Sequence, residues 1–310
     1  MSDTFVTASP HWTWFIIPYF FVGGIAGGAY FLAAALEWFG RPEDRPVIRT
    51  AYSLAFWGAV ISGALLTIDL GKPFRFWHML FQSDNFPNVM FKGWSPISFG
   101  AWAIMLFGLC AALSMIGAWT DEGRVRTPAA QPLRSGTMLA KLVAGLGGLL
   151  GFFVAGYTGV LLTVTNRPIW ADSPWLGGLF LASGASTAAA ALLLLAPGRG
   201  ATAGSLAWLE SFDMRALVIE LILLVLFVGW LWPIRQVWLS VWGLLLLIGV
   251  VWAGILWPLR LHARPASAAG GAGMLRNPAA MVLIGGFLLR VVILLASNGI
   301  QHQMATAIRR

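Results

Sequence analysis

Apolar residues run along this chain in continuous stretches of about 20, separated by short polar breaks, and none of them alternates apolar with polar as a barrel strand would. Eight stretches are readable: residues 15–39, 47–68, 97–118, 142–164, 176–195, 216–232, 237–259 and 281–296. A helix of that length crosses the roughly 30 Å of bilayer hydrocarbon and satisfies each backbone N–H and C=O internally. The pattern therefore predicts an all-α integral membrane protein with about eight transmembrane helices. The last stretch is short and carries Arg290, so its helix is expected to borrow length from residues 277–300.

Composition agrees. Of the 310 residues 58% are apolar and 10% charged, and mean hydropathy is +0.78, which excludes a soluble enzyme. The N-terminal MSDTFVTASPHWTW lacks the basic residues and short apolar run of a cleaved signal, so the first span is expected to be retained. A single cysteine, Cys110, excludes an intrachain disulfide and any all-cysteine zinc or iron–sulfur site within the chain, and reads as a packing residue.

A net charge of +8 would suggest nucleic acid in a soluble protein, but here the cations lie between the spans, where they report topology. The loops after the odd-numbered spans hold twelve Lys and Arg, among them Arg41, Arg45, Arg49, Arg124 and Arg199, against seven on the opposite face. Both termini are thus expected on the outer, periplasmic side of a bacterial inner membrane. That places segments 69–95 and 165–175 outside. They gather Lys72, Arg75, His78, Asn166 and Arg167 among Trp77, Trp94, Trp170 and Trp175, either as a functional or docking surface or as an ordinary aromatic belt.

Inside the spans, Gly23, Gly24, Gly27 and Gly28, with Gly145, Gly147, Gly148 and Gly151, predict close helix packing by the first and fourth helices. The histidines are His11, His78, His262 and His302, and none lies mid-span, which argues against helix-held haem. His262 and His302 read as solvated boundary residues. Ionisable groups in or at the membrane are costly and are functional candidates by default. Asp69 ends the second span at the outer boundary and Tyr157, in GYTG, lies about two turns from the outer end of the fourth. With His11 they can share an amphipathic outer-leaflet pocket suited to a quinone. Glu37, Glu220 and Arg290 read as a proton path or as structural ion pairs.

The runs DLGKPFRFWHML at 69–80, KGWSPISFGAW at 92–102, GYTGVLLTVTNRPIWADSP at 156–174 and LFLASGASTAAAALLL at 179–194 resemble the NrfD/PsrC family of polysulfide-reductase-type membrane subunits. The resemblance implies one membrane domain over 1–310, built as two four-helix bundles, 1–168 with the quinone site and 175–310. It implies a bound quinone, menaquinone or ubiquinone, no haem and no iron–sulfur cluster in this chain. It also implies a ferredoxin-like iron–sulfur partner, often accompanied by a molybdopterin catalytic subunit. Tyr157 matches the family's quinone-contacting tyrosine, with His11, Trp14, Asp69 and Thr158 as neighbours; Lys72, Arg75, His78, Asn166 and Arg167 would grip the partner or shape the pocket mouth. The expected function is electron exchange between membrane quinone and that partner; a two-halved secondary transporter and a purely structural anchor are the alternatives.

Overall fold

In the computed structural model, residues 14–262 and 277–308 are described, with side chains as far as residue 297. His11, and the side chain of His302, lie outside the described residues. Eight long helices follow in order: α1 (Ile16–Phe39), α2 (Arg45–Asp69), α3 (Pro96–Asp121), α4 (Met138–Thr163), α5 (Leu176–Leu195), α6 (Ala203–Trp230), α7 (Val241–His262) and α8 (Pro278–Ile308). Among the described residues, pairing of extended backbone is confined to one antiparallel bridge, Phe81 to Val89.

Side-chain caps set where several helices start. The hydroxyls of Ser95, Thr137 and Thr202 accept from Ser98 N, Ala140 N and Ser205 N at 3.4, 3.1 and 3.2 Å, satisfying amides that the first turn of a helix leaves open. Seven of the eight helices are long and apolar enough to cross a membrane. The eighth, α6, starts at Ala203, well before the expected residue 216, because Thr202 caps it there and its first turns carry Glu210, Asp213 and Arg215, which interrupt the apolar run. The seventh span also differs from expectation. Residues Trp232–Val237 form a tight 3₁₀ turn, and α7 begins only after Ser240 caps Trp242 N at 3.2 Å. Within α7, Leu246–Leu256 are π-helical, and this widened stretch brings Gly254 against Gly285 of α8. The last helix does extend beyond its apolar run, as its short length required.

α1 packs on α2 and α4, with α3 against both, while α5 packs on α6 and α8, and α7 on α8. The two groups join where α5 lies against α1 and α4. Glycines make this junction possible. A Cβ on Gly28 would lie 2.6 Å from the Gly184 carbonyl oxygen of α5, and one on Gly27 would collide with the Gly151 carbonyl of α4. α1 is thus clasped on two sides, by α4 as the glycine pattern predicted and by α5 as well. Outward stripes such as Leu142, Leu146 and Leu149 of α4, or Ile222 and Val225 of α6, stay exposed, as lipid-facing positions must.

Candidate functional site

The GYTG stretch places Tyr157 six residues before the C-terminal end of α4, about 9 Å from it. Its hydroxyl donates to the Pro96 carbonyl at 2.9 Å, at the first residue of α3. Gly100, one turn on, leaves the space that the phenol ring fills; any Cβ there would overlap the ring. Phe153 stacks on Tyr157 with centroids 5.2 Å apart, and Phe99 meets Phe153 edge-on at the same separation. Tyr19 of α1 is buried beside this group. The result is an aromatic wall with one phenol at its polar end, set beside the first turn of α3.

Asp69 is the last residue of α2 and half-buried, flanked by exposed Ile68 and Leu70 at the same end of the molecule. Trp14 is 68% exposed, just ahead of α1. Thr158 is fully buried, and its hydroxyl donates to the Ala155 carbonyl of its own helix at 3.3 Å, so it faces packing.

Above this end lies an ordered outer segment. Pro73–Met79 forms a 3₁₀ helix, and the chain then doubles back through Gln82 N to Asn88 O and Met90 N to Leu80 O, both 2.8 Å. Two bonds pin the return strand to α3: Trp102 Nε1 donates to Met90 O at 3.0 Å, and Lys92 N donates to Ser98 Oγ at 3.0 Å. The segment presents Lys72, Arg75 and Phe74 to its surroundings, with Trp94 83% exposed; His78 is half-buried, edge-on to Trp77 at 4.0 Å.

The second outer segment is built differently. Arg167 is buried, lies 4.8 Å over the Trp170 ring and donates to Ser297 Oγ of α8 at 3.4 Å. Trp170 donates through Nε1 to Ile293 O at 2.8 Å. Asn166 is half-buried next to it. Burial lowers the guanidinium of Arg167 from its ordinary pKa, because the charged form loses water there. This arginine clasps the loop to α8.

Interior ionisable groups resolve into separate clusters. Glu37, at the inner end of α1, accepts from Ser135 Oγ at 2.6 Å and Gly136 N at 2.6 Å, so it anchors the loop between α3 and α4. Glu220 accepts from Ser186 Oγ at 3.0 Å, and Arg290 donates to Ser183 Oγ at 2.7 Å and Gly286 O at 2.6 Å; both charges are fully enclosed where α5, α6 and α8 meet. The rings of Phe21 and Phe180 face the Arg290 guanidinium.

Two groupings were not foreseen. His262 is not solvated: its Nε2 lies 3.4 Å from Asp213 Oδ2, and both side chains are buried, because α6 and the end of α7 close over them. The spacing of Asp213 and Glu220, seven apart on one face of α6, was the readable sign of a polar stripe turned inward. Tyr30 donates to the Cys110 carbonyl at 3.3 Å and lies 2.6 Å from Ser114 Oγ, tying α1 to α3. Among the described residues, no three His, Cys, Asp or Glu side chains are grouped so as to hold a metal ion.

Among the described residues, eight long helices with apolar outward faces define a multi-pass membrane protein. The family model for polysulphide reductase, NrfD, matches residues 3–300, and the chain belongs to that family. Over 308 residues it is 28% identical to the C subunit of polysulfide reductase from Wolinella succinogenes, covering 93% of the present sequence and 94% of that subunit. It is also 28% identical over 273 residues to an NrfD homolog of Haemophilus influenzae, covering 82% and 84%. A further relative is NrfD of Escherichia coli, 32% identical over 197 residues, with 59% and 58% covered.

Proposed function

We propose that this protein is the quinone-handling membrane subunit of a respiratory oxidoreductase, exchanging two electrons between the quinone pool and an iron–sulfur partner. The observation that carries the reading is the outer-leaflet constellation of Tyr157, Phe153, Phe99 and Gly100 beneath an ordered, cation-bearing outer segment. The fit to a quinone is chemical. The headgroup needs a flat aromatic surface, a hydroxyl at its oxygen and a proton acceptor at the aqueous boundary; the rings and phenol of this group suit the first two, and Asp69, the half-buried last residue of α2, is the acceptor in this reading.

In the direction of quinol oxidation, the phenol oxygen of Tyr157 accepts a hydrogen bond from the quinol hydroxyl while its own hydrogen stays on Pro96 O. Two protons and two electrons leave the quinol: Asp69 takes the protons one after the other and passes each to the aqueous boundary, and the two electrons would go to the partner's clusters; reduction runs the same steps backward. His11 and Trp14 would complete the rim. The four-helix group within 1–168 holds this site, and the group within 175–310 supports it, with Glu220 and Arg290 as proton-path candidates; Glu37 serves its loop. Lys72, Arg75 and His78 form the docking face for a ferredoxin-like subunit, itself joined to a molybdopterin catalytic subunit, on the periplasmic side of a bacterial inner membrane. The excess of loop cations on the opposite face supports that orientation.

The test is quinol turnover by the assembled complex carrying Tyr157→Phe or Asp69→Asn. Loss of the proton acceptor is expected to slow turnover about a hundredfold, and loss of the phenol about tenfold. Normal turnover in both variants, with quinone still extractable in normal amount, would place the site elsewhere.

A further inference from the structure

On the face opposite the outer segments, a cavity of about 240 Å³ is lined by Pro46, Arg49, Glu122, Arg124 and Arg199. It lies where the two helix groups meet: Arg49 is on the second turn of α2, Arg124 follows α3, and Arg199 ends the 3₁₀ turn Pro197–Arg199, which packs against α2. Three guanidiniums and one carboxylate give it a net charge of two positive. The carboxylate is already engaged, since Glu122 Oε2 lies 2.8 Å from Arg124 Nε. Among the described residues, Arg49 and Arg199 have no carboxylate within ion-pair distance, whereas nearby Arg45 and Arg134 both reach Asp121. Arg49 is half-buried and lines this partly enclosed space of about eight water volumes as well as a neighbouring cavity that contains Glu37 and Asp121.

We propose that this cavity binds the phosphate of an anionic phospholipid and so joins the two helix groups at the membrane surface. Guanidinium forks match phosphate oxygens, and basic pockets between membrane helices on the cation-rich side are suited to anionic headgroups. A free phosphate ion shares that chemistry. The neighbouring surface decides for the lipid. Val60, eleven residues beyond Arg49, continues its face of α2 into the membrane, and Leu195, the last residue of α5, lies one turn before Arg199. Val60 and Leu195 are 46% and 48% exposed. These exposed apolar positions on the helices that flank the cavity suit an acyl tail, which a soluble anion lacks.

The experiment is thermal unfolding of the full-length protein in neutral detergent, titrated separately with phosphatidylglycerol, phosphatidylcholine and inorganic phosphate. Phosphatidylglycerol is expected to raise Tm saturably, with little effect from the other two. The double variant Arg49→Gln/Arg199→Gln should weaken that response by about tenfold or more in apparent affinity, from two lost contacts near a charged headgroup. Arg126→Gln, on the same loop but outside the cavity, should respond as the parent does. An equal response from the double variant overturns the site; an equal response to phosphatidylcholine overturns the headgroup assignment; and saturation by inorganic phosphate alone overturns the lipid. If the double variant purifies poorly, Arg199→Gln alone, on an exposed turn, gives the same readout at about half the logarithmic effect.

Discussion

The two outer segments carry the same kinds of residue and do opposite things with them. Segment 70–95 turns Lys72, Arg75, Phe74 and Trp94 away from the helices, and its own backbone bonds and the Trp102 to Met90 bond hold it in shape. Segment 164–175 turns Arg167 and Trp170 inward, onto α8. A basic residue beside a tryptophan is therefore no guide to a surface. What separates the two is which groups find partners: α8 offers the Ser297 hydroxyl and the Ile293 carbonyl to the side chains of the second segment, whereas α3 holds the first segment by its backbone, at Met90 O and Lys92 N, and leaves its cations outside.

This contrast can be broken by substitution. Trp170→Ala should have the largest effect, because it removes a buried indole and leaves the Ile293 carbonyl without its donor; a loss of about 3 kcal/mol or more is expected in reversible unfolding in mixed micelles. Arg167→Ala should cost about 1–2 kcal/mol in the same assay, through the lost stacking on Trp170 and the lost bond to Ser297. Gly100→Ala probes the layer beneath the first segment: its methyl must displace the Tyr157 ring, so about 1–3 kcal/mol is expected together with slower quinol turnover. Lys72→Gln with Arg75→Gln should change stability by less than about 0.5 kcal/mol, since both side chains are exposed, while slowing association with the partner subunit in a salt-dependent way. A double variant that unfolds early would make the first segment a clasp like the second.

Much of the fold was legible because lipid imposes a simple requirement: long apolar runs become helices. The reading went astray where that requirement does not apply. The early turns of α6 carry charges, one of which, Asp213, meets His262 across nearly fifty residues, and apolar-run counting stops at such positions. The π-helical stretch of α7 is as apolar as an α-helix would be, and nothing in its composition marks the widening. At the candidate site, the local sequence showed Tyr157 but not its acceptor, the Pro96 carbonyl 61 residues away. Glu37 was read as a membrane charge because the groups that hold it, Ser135 and Gly136, lie 98 and 99 residues along the chain. Arg290 was visible as a charge within a span, whereas its partner Ser183 depends on which helices meet.

The position of α1 also bears on how the protein is made. It is synthesised before the other seven helices described, yet 78% of its most apolar stretch is enclosed, against 33% for α4. On leaving the ribosome it has neither of the neighbours that its glycine faces fit, because α4 begins about a hundred residues later and α5 later still. A nascent polypeptide arrested after α3 should therefore hold α1 loosely and accept cross-links to lipid or insertion machinery from Leu32→Cys, fully buried one turn beyond Gly28 and smaller than the side chain it replaces. One arrested after α5 should lose them, so that assembly closes around a helix that was in the membrane before its partners.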